Sequence, residues 1–179
     1  MTRQLPLLQA WGPVAYETLR ETARTYNTVI THQELAERLQ RRTGVTGEGR
    51  STTLMSKLLE LVAFEAHRVG NPPLTALCVK SDGTVGDHYK RVVTMTTGGT
   101  VDDLDHRAAL DRWACYREYA ADLPPDGGVP TLTPQVAKRR ERRKVTISAR
   151  NRDVPQRESG VCMSCFTELA LTGQCDTCD

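Results

Sequence analysis

Residues 28–39 read Thr-Val-Ile-Thr-His-Gln-Glu-Leu-Ala-Glu-Arg-Leu, and the fold is decided by how they are read. Thr31 and Glu34 stand three apart at the head of an apolar-periodic run. That is the signature of a capping box, in which hydroxyl and carboxylate each take up a free N–H of the first helical turn. Leu35, Ala36 and Leu39 form the stripe that a short helix ending near Gln40 would bury. Val29-Ile30 is a short apolar link ahead of it. Upstream, Gly12-Pro13 predicts the start of a first helix, because proline at the first helical position lacks only an N–H that would be unbonded anyway. Val14, Tyr16, Leu19, Ala23 and Tyr26 follow at helical spacing, and Asn27-Thr28 closes that helix.

Downstream, residues 43–50 contain three glycines and predict a flexible loop. A third helix is expected from Ser51 to about Arg68, with Leu54, Leu58, Leu61 and Val62 on one face and Gly70-Asn71-Pro72-Pro73 as its stop. Leu74 to Lys80 is strand-like, Ser81-Asp82-Gly83 supplies a turn, and Lys90-Arg91-Val92-Val93-Thr94-Met95 is a second extended segment. Gly98-Gly99-Thr100 introduces another helix, with Asp102 and Asp103 complementing its dipole and Leu104, Ala108, Trp113 and Tyr116 returning to the core. Three helices, a tight connection and a hairpin describe a winged helix. Its third helix is the natural reading head for a groove and the hairpin its wing. The expected class is α+β: a helix-rich winged-helix domain with a short β-hairpin over 1–122, a Pro/Gly linker over 123–135, a basic arm over 136–159 and a small zinc-ribbon module over 160–179. A protein-binding winged helix fits the same pattern.

Hydrophobic residues make up 39% of the 179 and charged residues 26%, a globular composition. No window approaches the roughly 18–20 apolar residues that span a bilayer, and no apolar leader follows Met1, so neither a membrane protein nor a secreted one is expected. The net charge of +2 conceals an uneven distribution. Residues 1–135 carry 15 basic and 16 acidic side chains, whereas residues 136–159 carry 9 basic and 3 acidic. A near-neutral body joined to a short cationic stretch is the footprint of a polyanion-binding protein. The alternative is a solvated linker whose charge only keeps it extended.

Four of the six cysteines, Cys162, Cys165, Cys175 and Cys178, fall in two C-x-x-C pairs. Metal sites pair cysteines in this way, whereas disulfide frameworks spread them through the loops they staple. Four thiolates can converge tetrahedrally on one structural Zn²⁺ and leave no position for substrate. Phe166, Leu169 and Leu171 would form a miniature core, and Gly173 would turn the chain into the second pair. No glycine follows either knuckle; Phe166 and Asp179 stand there instead. An iron–sulfur cluster and a redox dithiol are the other readings. Cys78 and Cys115 sit in apolar surroundings and read as core residues of a protein from a reducing, cytoplasmic compartment.

Two segments resemble a known family. Thr28-Val29-Ile30-Thr31-His32-Gln33-Glu34-Leu35-Ala36 is similar to the "TVTYGELA" segment that opens the winged helix of DNA alkyltransferases and alkyltransferase-like proteins. Val79-Lys80-Ser81-Asp82-Gly83-Thr84-Val85-Gly86 resembles their "V-x-SDG-x-x-G", and Arg50 lies near an arginine that supports a flipped nucleotide in that family. The resemblance covers about residues 28–89. Where the family has Pro-Cys-His-Arg this chain has Leu74-Thr75-Ala76-Leu77, so the acceptor cysteine is replaced by Thr75 and its activating histidine by Ala76. A threonine hydroxyl without an adjacent base is a poor nucleophile, and Cys78 lies three positions on, facing the other side of a strand. Alkyl transfer is therefore not expected. What the resemblance implies is a DNA-binding shape.

The candidate nucleic-acid contacts are Arg50, Ser51, Thr52, Thr53, Ser56 and Lys57 at the head of the third helix, and Lys138, Arg139, Arg140, Arg142, Arg143 and Lys144 in the basic run. Arg150, Arg152 and Arg157 extend that run, and no aromatic residue interleaves it, so it would position the protein on phosphates rather than stack bases. His32, His67, His88 and His106 are dispersed without a metalloprotease or catalytic pattern. Asp82, Asp87 and His88 lie close in sequence, but with Gly83 and Gly86 they read as a polar turn rather than a nuclease centre. The expectation is a non-catalytic, cytoplasmic nucleic-acid-binding protein with duplex DNA as its polymer, in the setting of transcription regulation in a bacterium or phage. The competitors are an adaptor that binds a polymerase or ribosomal component, and an enzyme acting on nucleic acid.

Overall fold

The computed structural model describes residues 4–46, 52–152, 162–167, 175 and 178; for residues 4, 52, 97 and 147–152 it describes the backbone only. The chain divides into two units, Met1–Arg139 and Arg140–Asp179. The elements in order are α1 (Gln4–Thr22), β1 (Ile30–Thr31), α2 (His32–Thr43), α3 (Thr52–Arg68), a 3-10 turn (Leu74–Leu77), β2 (Cys78–Val79), α4 (Asp87–Thr97), α5 (Leu104–Tyr119) and α6 (Pro134–Arg152). The fold is thus helix-dominated, with one two-stranded sheet among the described residues.

The capping box forms as its spacing predicts. The Thr31 N–H donates to Glu34 Oε2 at 2.8 Å and the Glu34 N–H to Thr31 Oγ1 at 3.2 Å. Leu35, Ala36 and Leu39 are buried, and Gly44 at φ 67° ends α2 in the left-handed region that glycine adopts without a Cβ clash. Helix α1 begins at Gln4, eight residues before Gly12, with Pro13 in its interior. The missing N–H of Pro13 frees one carbonyl a turn back, at Gln9; both residues face solvent, where water can take up that carbonyl. Trp11, Ala15 and Leu19 recur every four residues on the opposite side and are fully buried. On α3, Leu54, Leu58 and Val62 are buried as expected, but Leu61 is exposed. The core-facing stripe runs instead through Met55, Leu59 and Ala66.

The hairpin does not form. Leu74–Leu77 makes a 3-10 turn after Asn71-Pro72-Pro73, and only Cys78–Val79 is extended. It pairs in parallel with β1, Ile30 opposite Cys78 and Thr31 opposite Val79. The residues expected as its antiparallel partner belong to α4, which Gly86 opens and Gly98 closes at φ 69°. The β-branched run Val92-Val93-Thr94 suggested a strand. Burial of Tyr89 and Val93, one turn apart, with Ala76, Val85 and Ala108 overrides that local preference.

Residues 123–133 are fastened to the body along their length rather than hanging free as a linker. Trp113 Nε1 donates to the Gly127 carbonyl at 2.9 Å, and the Tyr26 hydroxyl bridges the N–H and C=O of Val129. The Gly128 backbone, at φ 65°, lies so close to the Tyr26 ring that an added Cβ would sit 2.5 Å from its hydroxyl. The buried guanidinium of Arg112 on α5 donates to Ala76 O in the 3-10 turn and to Thr131 O in this strap, each at 3.2 Å. Thr133 Oγ1 closes the strap on Gly83 O at 2.8 Å.

His88 on α4 is completely buried against His32 at the start of α2, with ring centroids 5.6 Å apart and Gly86 packed on both rings. Neither His88 nitrogen nor His32 Nε2 has a protein hydrogen-bond partner. Burial first, then the positive potential of His32 and Arg91, pushes the His88 imidazole down to about 3, against the weaker opposing pull of Asp87. Burial and Lys80 also lower His32. A histidine held neutral binds fewer protons folded than unfolded, so stability rises with pH between the two values. The contribution of His88 is full above about 6.5 and lost as pH falls towards 3. Lowering pH from 7 to 5 should remove on the order of 2 kcal/mol in urea-unfolding measurements, and His88→Phe should flatten that dependence. An unchanged pH slope in the variant would contradict this account.

Candidate metal centre and basic helix

Cys162, Cys165, Cys175 and Cys178 converge in the second unit, with all four Sγ atoms within 4.8 Å of one another. Cys162 and Cys178 are 3.9 Å apart and Cys165 and Cys175 3.3 Å. Four sulfurs at about 2.3 Å from a tetrahedral ion are separated by roughly 3.8 Å, so this set fits one metal ion. The first knuckle is closed by its own backbone: the Phe166 N–H donates to Cys162 O at 2.8 Å and the Cys162 N–H to Thr167 O at 2.9 Å. The return requires Phe166 to adopt φ 57°, the left-handed conformation that glycine serves best.

Phe166 is 78% exposed and takes no part in a miniature core. Leu169, Leu171 and Gly173 lie outside the described residues. The Thr167 hydroxyl sits 2.7 Å from Cys165 Sγ, and the hydrogen bonds of Thr167 draw the Cys165 thiol down. Hydrogen bonding with Cys165 and then Cys175 pushes the Cys178 thiol up to about 11. Four thiolates this close need a cation to be ionised together, which is what a closed tetrathiolate site supplies.

Among the candidate nucleic-acid residues, Arg50 and Ser51 lie outside the described residues, as does the Thr52 side chain. Thr53 and Lys57 are exposed on the first turns of α3 and Ser56 is half-buried. Farther along α3 the exposed residues include Leu61 and the 68%-exposed Phe64, with Glu60 paired to Arg91 of α4. The described part of the basic run is helical. Over 134–152 it is the helix α6, which Pro134 opens at its first position and no glycine or later proline interrupts. Val136 is buried in the body. Arg139 pairs with Asp82 and Asp105, each at 3.5 Å. Lys138, Arg142, Arg143 and Lys144 are exposed, and none has an acidic partner among the described residues. Arg140 is half-buried.

Asp82, Asp87 and His88 do not converge. Asp82 accepts from the Thr84 N–H and hydroxyl in a polar turn, Asp87 is exposed and His88 faces inward. Cys78 and Cys115 are buried, their thiols pushed up by desolvation. Thr75 is buried with its hydroxyl unpartnered. No helix among the described residues is long and apolar enough to cross a membrane. No protein-family model, curated protein or solved structure matches this chain.

Sequence reasoning missed the acidic anchors of Arg139 and the role of Arg112, both set by long-range packing. The helicity of 134–152 had a local signal in Thr133-Pro134 followed by an unbroken run free of glycine and proline.

Phe166→Gly relieves about 1 kcal/mol of backbone strain, so metal affinity of the full chain should rise about fivefold in competition with a chromophoric chelator. Cys165→Ser should abolish tight binding. Because the thiols must deprotonate, affinity should fall as pH is lowered through the thiol range. Equal affinities for the native chain and Phe166→Gly would show that the left-handed turn carries no cost.

Proposed function

We propose that this chain is a non-catalytic nucleic-acid-binding protein whose polymer is duplex DNA, acting in a DNA-directed process such as regulation of transcription. The observation that carries the reading is the exposed Lys138, Arg142, Arg143 and Lys144 of α6, without acidic partners among the described residues, in a chain whose residues 1–135 nearly balance in charge. Phosphates neutralise such a helix and release counterions from the duplex as they do so. The Cys₄ set takes zinc as a structural ion in a small ribbon, because a closed tetrathiolate shell with no open position suits Zn²⁺. A helix-turn-helix shape for α2 and α3, and the broader winged-helix assignment, belong to the same proposal, with the exposed Thr53 and Lys57 as phosphate contacts. The non-catalytic reading is supported by the burial of Thr75, Cys78 and Cys115, which leaves these nucleophiles without access to substrate. A cytoplasmic location accords with the thiol chemistry.

An adaptor role is favoured by one observation, the exposed apolar residues Leu61, Phe64 and Met95 on α3 and α4. The two readings part in one titration. The zinc-loaded chain should bind a fluorescein-labelled duplex with log K falling linearly in log salt, and Arg142→Ala with Arg143→Ala should shallow that slope by about 1.8. Flat, negligible binding at 50 mM salt would remove the DNA reading and leave the adaptor.

A further inference from the structure

Helix α6 distributes its charge in a way that bears on how it meets a polyanion. Successive residues advance by 100° around a helix axis. From Lys138 as origin, Arg142 lies at roughly 40°, Arg143 at roughly 140° and Lys144 at roughly 240°. All four are exposed, and so is Val145 at 65%. A single phosphate strand running along α6 could reach only one of these sides. The charges also repel within the helix, since Lys138 and Arg142, Arg139 and Arg143, and Arg140 and Lys144 are like pairs four apart, offset in part by Glu141 three residues from Lys138 and Lys144 and by the pairing of Arg139 with Asp82 and Asp105. Residues 141–146 have no buried face to offset that repulsion. The first turns are held differently, through Val136, Thr133 and the pairing of Arg139 with Asp82 and Asp105.

From this juxtaposition we infer that α6, not α3, is the helix that enters a groove. The segment beyond Arg139 lies between the two phosphate walls of the DNA major groove and gains helical stability from that contact. This rests on the nucleic-acid reading above and goes beyond it by assigning the helix, the groove and the coupling to folding. The major groove of B-form DNA, about 12 Å wide, admits an α-helix and lines both flanks with phosphates. The A-form major groove of duplex RNA is deep and narrow and does not admit side chains. A single strand offers only one line of charge. Helix α3 fits this role less well, because beyond its first turns it presents Leu61, Phe64 and the Glu60–Arg91 pair.

The test separates helix from charge in the zinc-loaded full chain. Val145→Pro breaks α6 without altering any charge, and Val145→Ala with Thr146→Ala strengthens it, also without altering charge. Anisotropy titration with a 30-base-pair DNA duplex at 100 mM salt should show the proline variant weaker by about tenfold or more and the double-alanine variant tighter by about two- to fivefold. Far-UV circular dichroism should show helicity rising on addition of duplex DNA to the native chain, and little change with single-stranded DNA or duplex RNA of equal charge. The metal affinity and thermal midpoint of the variants verify that both units are intact. Equal DNA affinity across all three proteins would overturn the groove assignment and leave a charged tether. Equal gains in helicity with duplex RNA would overturn the choice of groove. Absence of DNA binding by the native chain would instead overturn the reading on which the inference rests.

Discussion

The buried guanidinium of Arg112 is the contact on which the placement of the functional elements depends. It donates to Ala76 in the 3-10 turn and to Thr131 in the strap, so one α5 side chain joins two segments that share no secondary structure. Once Thr131 is held, Thr133 reaches Gly83 and Pro134 can start α6 at a defined point of the body. A buried cation needs several oxygen partners to offset its lost hydration. Burial nevertheless lowers the Arg112 pKa, and nearby Tyr116 and Tyr89 oppose that shift only in part. Removing either carbonyl partner would leave part of a buried charge uncompensated. The strap and the 3-10 turn are therefore mutually dependent, and α6 inherits its origin from both.

The second unit is organised by a different constraint. Beyond the end of α6, its described part is one knuckle and two further thiols, too little apolar surface to hold a fold unaided. Proximity of four sulfurs raises the cost of ionising all of them, and a bound cation reverses that cost. Metal binding and local folding are consequently one free-energy change. The left-handed Phe166 shows how far the backbone departs from its own preferences to close the knuckle. Side-chain packing does not supply the energy for that departure, since Phe166 itself lies in solvent; an ion held by the four thiolates would.

What was legible in the sequence was whatever chemistry acts over a few residues. The Thr31–Glu34 box and the paired cysteines are both of this kind, and both appear as read. Failures came where a local preference met a distant partner. Val92-Val93-Thr94 favours a strand in isolation, but Tyr89 and Val93 must share one face to fill the space beside Ala76 and Ala108. Pro13 looked like a helix start because proline is costly inside a helix and nearly free at its first position; in α1 it is interior, with the carbonyl it frees, at Gln9, on the solvent side. The extended run Leu74–Lys80 became a 3-10 turn with a two-residue strand because its partner, Ile30-Thr31, is only two residues long. Nothing near Arg112 in sequence announces Ala76 or Thr131.

The charge on α6 also explains why body and arm differ so much in composition. Like pairs four residues apart cost a few tenths of a kcal/mol each, in a helix whose residues 141–146 are all exposed. If that charge served only to keep the segment soluble, alternating acids and bases would do so without repulsion. Asp82 and Asp105 show that the body neutralises a cation where it needs a fixed anchor. Arg142, Arg143 and Lys144 are exposed and have no carboxylate partner among the described residues. Residues 1–135 nearly balance in charge, so under the proposed function the field that a polyanion meets would be that of α6. Selection between duplex and single strand would then fall to the spacing of cations around one helix axis, a property of geometry rather than of net charge.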